Sequence, residues 1–126
     1  MPSERATYRI VYSGGAAPRV RLLGDRWQCI VLDCSETGVR FVRGADERRP
    51  LAPGDRVTGE IEFCNGGVVE VAGRVVRQQG NELALHLDEQ GIPFPEIIRE
   101  QMYLRKHYQV QRTMEVGDPV ARRNRM

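Results

Sequence analysis

From residue 8 to residue 88 the apolar side chains of this chain recur at every second position in short runs, each run broken by a turn signal. That rhythm fits strands that bury one face, and it leaves little room for helix. "YRIVY" sets Tyr8, Ile10 and Tyr12 on one side and Arg9 on the other. "RVRLL" (19–23) and "WQCIVL" (27–32) follow across a Gly24-Asp25 turn, and "GVRFV" (38–42) begins directly after "DCSET". Pro53-Gly54-Asp55 turns the chain into "RVTGEIEFC", with Val57, Ile61 and Phe63 on one face and Glu60 and Glu62 on the other. Asn65-Gly66 reads as a type I′ hairpin dipeptide leading into "VVEVAGRVVR", and "ELALHL" sends Leu83, Leu85 and Leu87 inward with Ala84 and His86 outward. Six or seven short strands of this kind predict an all-β domain, an antiparallel sheet closed into a small barrel that leaves no exposed edge.

The period changes after Gly91. Pro93 and Pro95 suit the start of a helix, and Phe94, Ile97, Ile98, Met102, Leu104 and Tyr108 then recur at helical spacing, interrupted by Gln101 and Arg105. The expectation is one amphipathic C-terminal helix over residues 93–109 that closes the barrel. Residues 110–126, with Arg122, Arg123 and Arg125, show no periodicity and are expected to be a flexible tail. The domain is therefore read as residues 1–109, comprising a loop at 1–9, a barrel at 8–88 and the helix.

Composition narrows the function class. Of 19 basic residues all but Lys106 are arginine, the planar fork suited to carboxylates, phosphates and guanine edges. A net charge of +2 and an aromatic content of 6% argue against a polymeric nucleic-acid binder, which needs basic grooves with interleaved aromatics. Cys29, Cys34 and Cys64 form no CxxC pair, so neither a disulfide framework nor a metal site is expected, and reduced thiols fit a cytoplasmic protein. Cys34, inside the "DCSET" turn, is expected to be partly exposed and modifiable. His86 and His107 lack a positioned nucleophile or carboxylate, so no catalytic site, no enzyme and no cofactor are expected. No apolar run is long enough for a membrane span. Trp27 is read as a barrel residue rather than a stacking platform, and Arg40, Arg43, Arg74 and Arg77 as outward side chains on strands, most of them solvated and some candidates to line a ligand face.

The chemistry-bearing residues fall into two groups. Arg5 and Arg9, four apart in an extended segment, point to one side with Cα atoms about 13 Å apart. Asp33, Ser35 and Gly38 sit where a strand turns back. A guanidinium offers paired donors to guanine O6 and N7 or to a phosphate, whereas Asp33 accepts from the guanine N1–H and N2–H₂ edge. Ser35 can add a hydroxyl contact, and Gly38 permits either a positive φ or a close backbone approach. DxSxxG is also ordinary turn chemistry, so neither group is decisive alone.

Arg5-x-x-x-Arg9 followed by Asp33-x-Ser35-x-x-Gly38 resembles the signature of the PilZ domain, the bacterial receptor module for cyclic di-GMP. The resemblance runs over most of the chain, through the "LAPGDRV" approach to the next strand and on to the closing helix. It implies a six-stranded antiparallel β-barrel, with Arg5 and Arg9 holding guanine edges and phosphates, Asp33 and Ser35 bonding a guanine, and Gly38 leaving room for the ligand. Many members carry another arginine just before the first motif arginine. Glu4 stands there in this chain, which bears on affinity and on whether one ligand or a stacked pair binds. Residues 1 to 7 have few apolar anchors and are expected to be ordered by ligand, so that the signal passes to an unidentified protein partner, from a monomer or weak homodimer. The alternative is a PilZ-like interaction domain that does not bind the nucleotide.

Overall fold

The computed structural model describes residues 9–13, 15–47 and 49–107. Arg5, the 1–7 loop, Tyr8, Tyr108 and the 110–126 tail lie outside the described residues. Seven strands precede one helix: β1 (Arg9–Val11), β2 (Arg19–Leu22), β3 (Cys29–Ser35), β4 (Gly38–Val42), β5 (Arg56–Glu62), β6 (Val68–Gln79), β7 (Glu82–Leu87) and α1 (Phe94–His107). β3, β2, β5, β6, β7 and β4 are neighbours in that order, and β4 pairs back onto β3 to close a six-stranded antiparallel barrel. The extra strand β1 lies along the end of β3, with Ile10 opposite Cys34.

The period-two pattern dictates the interior. Val20, Leu22, Val31, Phe41, Ile61, Val75 and Leu83 are each at most 1% exposed, while Glu60, Glu62, Arg74 and His86 on the same strands face outward. Closing so small a barrel brings strands close at glycine. A Cβ on Gly73 would stand 2.3 Å from the His86 carbonyl oxygen, and one on Gly59 2.6 Å from that of Arg21. The β5–β6 connection differs from the expected type I′ turn, because Asn65 does not adopt positive φ. The Gly66 amide donates to the Phe63 carbonyl and the Phe63 amide to the Gly67 carbonyl, closing a three-residue loop on Gly66 at φ 95°.

α1 docks through a face the apolar stripe did not show. Ile97 and Leu104 are buried as expected, but Met102 is 60% exposed and the positions that complete the buried face are Glu96 and Glu100. The physical reason is Glu100. Its carboxylate, fully buried, accepts from the Tyr12 hydroxyl (2.9 Å), the backbone amides of Cys64 and Asn65 (both 3.1 Å) and the Asn65 side-chain amide (2.8 Å). One side chain thus satisfies the donors of the β5–β6 loop and ties them, with the residue after β1, to the helix. Burial and the neighbouring carboxylate drive the Tyr12 hydroxyl's pKa far up, so it remains a donor. Glu100→Ala should lower the unfolding free energy by about 3 kcal/mol, because several buried donors lose their acceptor. Chemical denaturation checks this, and a change below about 1 kcal/mol would mean that those donors are satisfied without Glu100.

Candidate functional site

Two β-bulges set the outward face on which the chemistry stands. On β3, Val31 pairs with Phe41 but Asp33 with Arg40, so Leu32 is an extra residue. Alternation from the buried Cys29 and Val31 would aim Asp33 into the core, and the bulge turns it to the outer face instead. On β6, Val75 pairs with Leu85 but Arg77 with Ala84, so Val76 is the extra residue and Arg77 is likewise turned outward. A groove of about 530 Å³ runs over this face, lined by Arg9, Asp33, Gly38, Arg40, Arg77 and His86 among others.

Asp33 forms one wall. It is 4% exposed, yet each of its oxygens meets a guanidinium. Arg9 Nη1 donates to Oδ1 at 2.6 Å, and Arg40 Nε and Nη2 stand 2.8 and 2.7 Å from Oδ2. Arg40 is held in turn by Glu82, with Nη1 2.5 Å from Oε2. Those bonds to Glu82 and Asp33 raise the Arg40 pKa further above its ordinary value. Arg9 has no second carboxylate among the described residues and its side chain is 47% exposed. The two arginines are thus unequal: Arg40 is braced between two carboxylates, and Arg9 can let go.

The structure brings Arg9, Asp33 and Gly38 to one groove, whereas Arg5 lies outside the described residues. Ser35 stands opposite Arg9 in register but is 0% exposed, its Oγ accepting from the Thr37 amide at 3.3 Å and lying 3.5 Å from the Thr37 hydroxyl. In this state Ser35 shapes the turn. Gly38 has no positive φ. Its bare Cα serves close approach, since a Cβ would meet the Leu85 carbonyl oxygen at 3.2 Å. The turn is strapped down from outside: the Leu87 amide donates to the Thr37 carbonyl (2.8 Å) and the Ile92 amide to that of Glu36 (3.0 Å).

Sequence reasoning missed the roles of Arg40 and Glu82. Arg40 was only one of several outward arginines, and the signal that singles it out is its cross-strand place opposite Asp33, which requires the bulge. Arg43 is not solvated. Its side chain is 10% exposed and grips the buried Asp25 with Nη2 and Nε at 2.9 and 3.1 Å, alongside Arg49, as an anchor away from the groove. Trp27 is not a barrel residue. It is 49% exposed ahead of β3, beneath the Arg26 guanidinium at 5.7 Å.

The expectation of an exposed Cys34 is overturned. Pairing with Ile10 and Val39 aims it at the core, where it is 0% exposed and 3.8 Å from the Tyr12 hydroxyl. Burial pushes its thiol pKa up to about 12, and Cys29 and Cys64 likewise. The thiolate is the nucleophile, so at pH 8 the native protein should react with iodoacetamide far more slowly than the urea-unfolded chain, at all three cysteines. Mass spectrometry resolves the sites, and rapid native labelling at Cys34 would place it outside the core.

Comparison with solved structures finds the same fold in the crystal structure of an uncharacterized Legionella protein, at a TM-score of 0.50 and 15% identity, covering 81% of this chain and 98% of that one. No curated protein matches the chain. The PilZ domain model matches residues 4–104, from the residue before Arg5 through most of α1. A closed antiparallel barrel, an arginine on the strand beside its DxSxxG turn and a match over that span agree, and the chain belongs to the PilZ domain family of cyclic di-GMP-binding modules.

Proposed function

We propose that this chain is a cyclic di-GMP receptor whose ligand takes the place of Arg9 on Asp33. The observation that carries the reading is the buried Asp33 carboxylate at the groove wall, held by one braced arginine and one exposed one. The N1–H and N2–H₂ edge of guanine is a two-donor fork of the same kind as a guanidinium, so it can satisfy Asp33 as Arg9 does. A ligand lacking that edge would leave a buried carboxylate short of donors, which costs more than the lost contact itself. Arg9, released, offers its own fork to guanine O6 and N7 or to a phosphate, and Arg5 joins it.

Gly38 keeps the groove floor open, Ser35 holds the turn that presents Asp33, and Arg40 stays on Asp33 because Glu82 anchors it. The move of Arg9 is passed to residues 1–8, and their ordering displays a changed surface to a protein partner. No helix among the described residues is long and apolar enough to cross a membrane.

Calorimetric titration with cyclic di-GMP, GTP and an oligonucleotide tests the reading. Saturable binding is expected for the cyclic dinucleotide alone, and Arg9→Ala should weaken it on the order of tenfold to a hundredfold, as expected for a charge-assisted contact. Amide exchange of residues 2–9 should slow in saturating ligand. Equal, weak responses to all three ligands would contradict the proposal.

A further inference from the structure

We infer that the β6 bulge is the second wall of the ligand groove, with Arg77 taking a ligand phosphate and Val76 giving an apolar surface beside it. The inference rests on the cyclic di-GMP reading and adds a contact outside the RxxxR and DxSxxG residues.

The register places it. Asp33 on β3, Arg40 on β4, Ala84 on β7 and Arg77 on β6 form one cross-strand row on the outer face. Three strand gaps make the row about 14 Å wide, too far for a single phosphate to touch both ends but within the span of a dinucleotide. Between the Asp33–Arg40 pair and Arg77 the row holds only the small Ala84, and Gly38 stands in the next row, where it pairs with His86. The groove is therefore shaped by omission: a flat floor with a charged rim on each side.

The bulge decides what the far rim holds. Without Val76 as an extra residue, the alternation that buries Val71 and Val75 would bury position 77. With it, Val76 (57% exposed) and Arg77 both stand on the groove face. A bulge that re-aims side chains into a site is a common device.

Charge pairing then separates Arg77 from its neighbours. Arg9 and Arg40 are bonded to Asp33, and Arg40 also to Glu82. Arg77 has no hydrogen bond or ion pair to a carboxylate among the described residues. An anion can therefore bind Arg77 without breaking an ion pair, whereas binding through Arg9 first requires release from Asp33. Arg77 is the contact that a phosphate meets at least cost.

The experiment is calorimetry of cyclic di-GMP with the full chain at low and high salt. Arg77→Gln should weaken binding about tenfold or more and flatten its salt dependence, as loss of a charge-assisted phosphate contact requires. Arg21→Gln, the same charge change on β2 away from the groove, should bind within about twofold of the unaltered chain. Ala84→Leu, which fills the floor without altering charge, should abolish binding while leaving the thermal midpoint of the ligand-free protein close to that of the unaltered chain. Binding by Arg77→Gln equal to that by Arg21→Gln, or undiminished binding by Ala84→Leu, overturns the second wall and leaves the receptor reading standing. Failure of the unaltered chain to bind cyclic di-GMP overturns both.

Discussion

A carboxylate almost sealed from solvent must be matched by donors, and in this domain the arrangement of the groove follows from how Asp33 is matched. Two guanidiniums divide its oxygens, one braced by Glu82 and one half-exposed on the short extra strand. Removing either donor without replacement would leave one oxygen of a buried carboxylate without its charged partner, which is unfavourable. On the proposed reading the pair would act as a filter: an incoming ligand would displace Arg9 at little cost only if it presented its own donor fork. Guanine has such an edge, and a simple phosphate or adenine does not.

The barrel supports this by breaking its own rule at two places. Leu32 on β3 and Val76 on β6 each insert one residue and reverse the facing of the charged side chain that follows. Without these bulges Asp33 and Arg77 would point among Val31, Phe41 and Val75, where neither could be solvated. The turn carrying Ser35 and Gly38 is bonded through the Glu36 and Thr37 carbonyls to Leu87 and Ile92, two residues before α1. Beyond it, Glu100 ties α1 to Tyr12 on the chain leaving β1. The groove turn and the helix thus share one hydrogen-bonded frame.

Much of this was legible in the sequence. Period-two alternation located all seven strands and the correct faces of Ile10, Tyr12, Val57, Ile61, Phe63, Leu83, Leu85 and Leu87, because burial of one face leaves a signature at every second residue. The resemblance to the PilZ signature joined Arg9 and Asp33 in one site, and the structure sets the two residues on paired strands. What stayed hidden depended on departures from regular pairing or on satisfaction of polar groups. A bulge has no compositional mark, so although Arg40 and Arg77 read as outward, the place of Arg40 opposite Asp33 and its brace by Glu82 could not be resolved. Glu100 reads as a surface residue on a helix until the amides of Cys64 and Asn65 are seen pointing at it. Cys34 was misread because its position in a turn motif suggested exposure, whereas its partners Ile10 and Val39 are core residues. Met102 fits a helical stripe whose true face is rotated toward Glu96 and Glu100.

The central claim is an exchange of partners on one buried carboxylate, and a crystal structure of the full chain grown with excess cyclic di-GMP observes it directly. The account predicts a guanine N1 and N2 edge within hydrogen-bond distance of Asp33, Arg40 still bridging Asp33 and Glu82, and the Arg9 guanidinium moved from Oδ1 onto the ligand. An occupied groove with the Arg9–Asp33 pair unbroken, or a messenger bound on another face of the barrel, would contradict it.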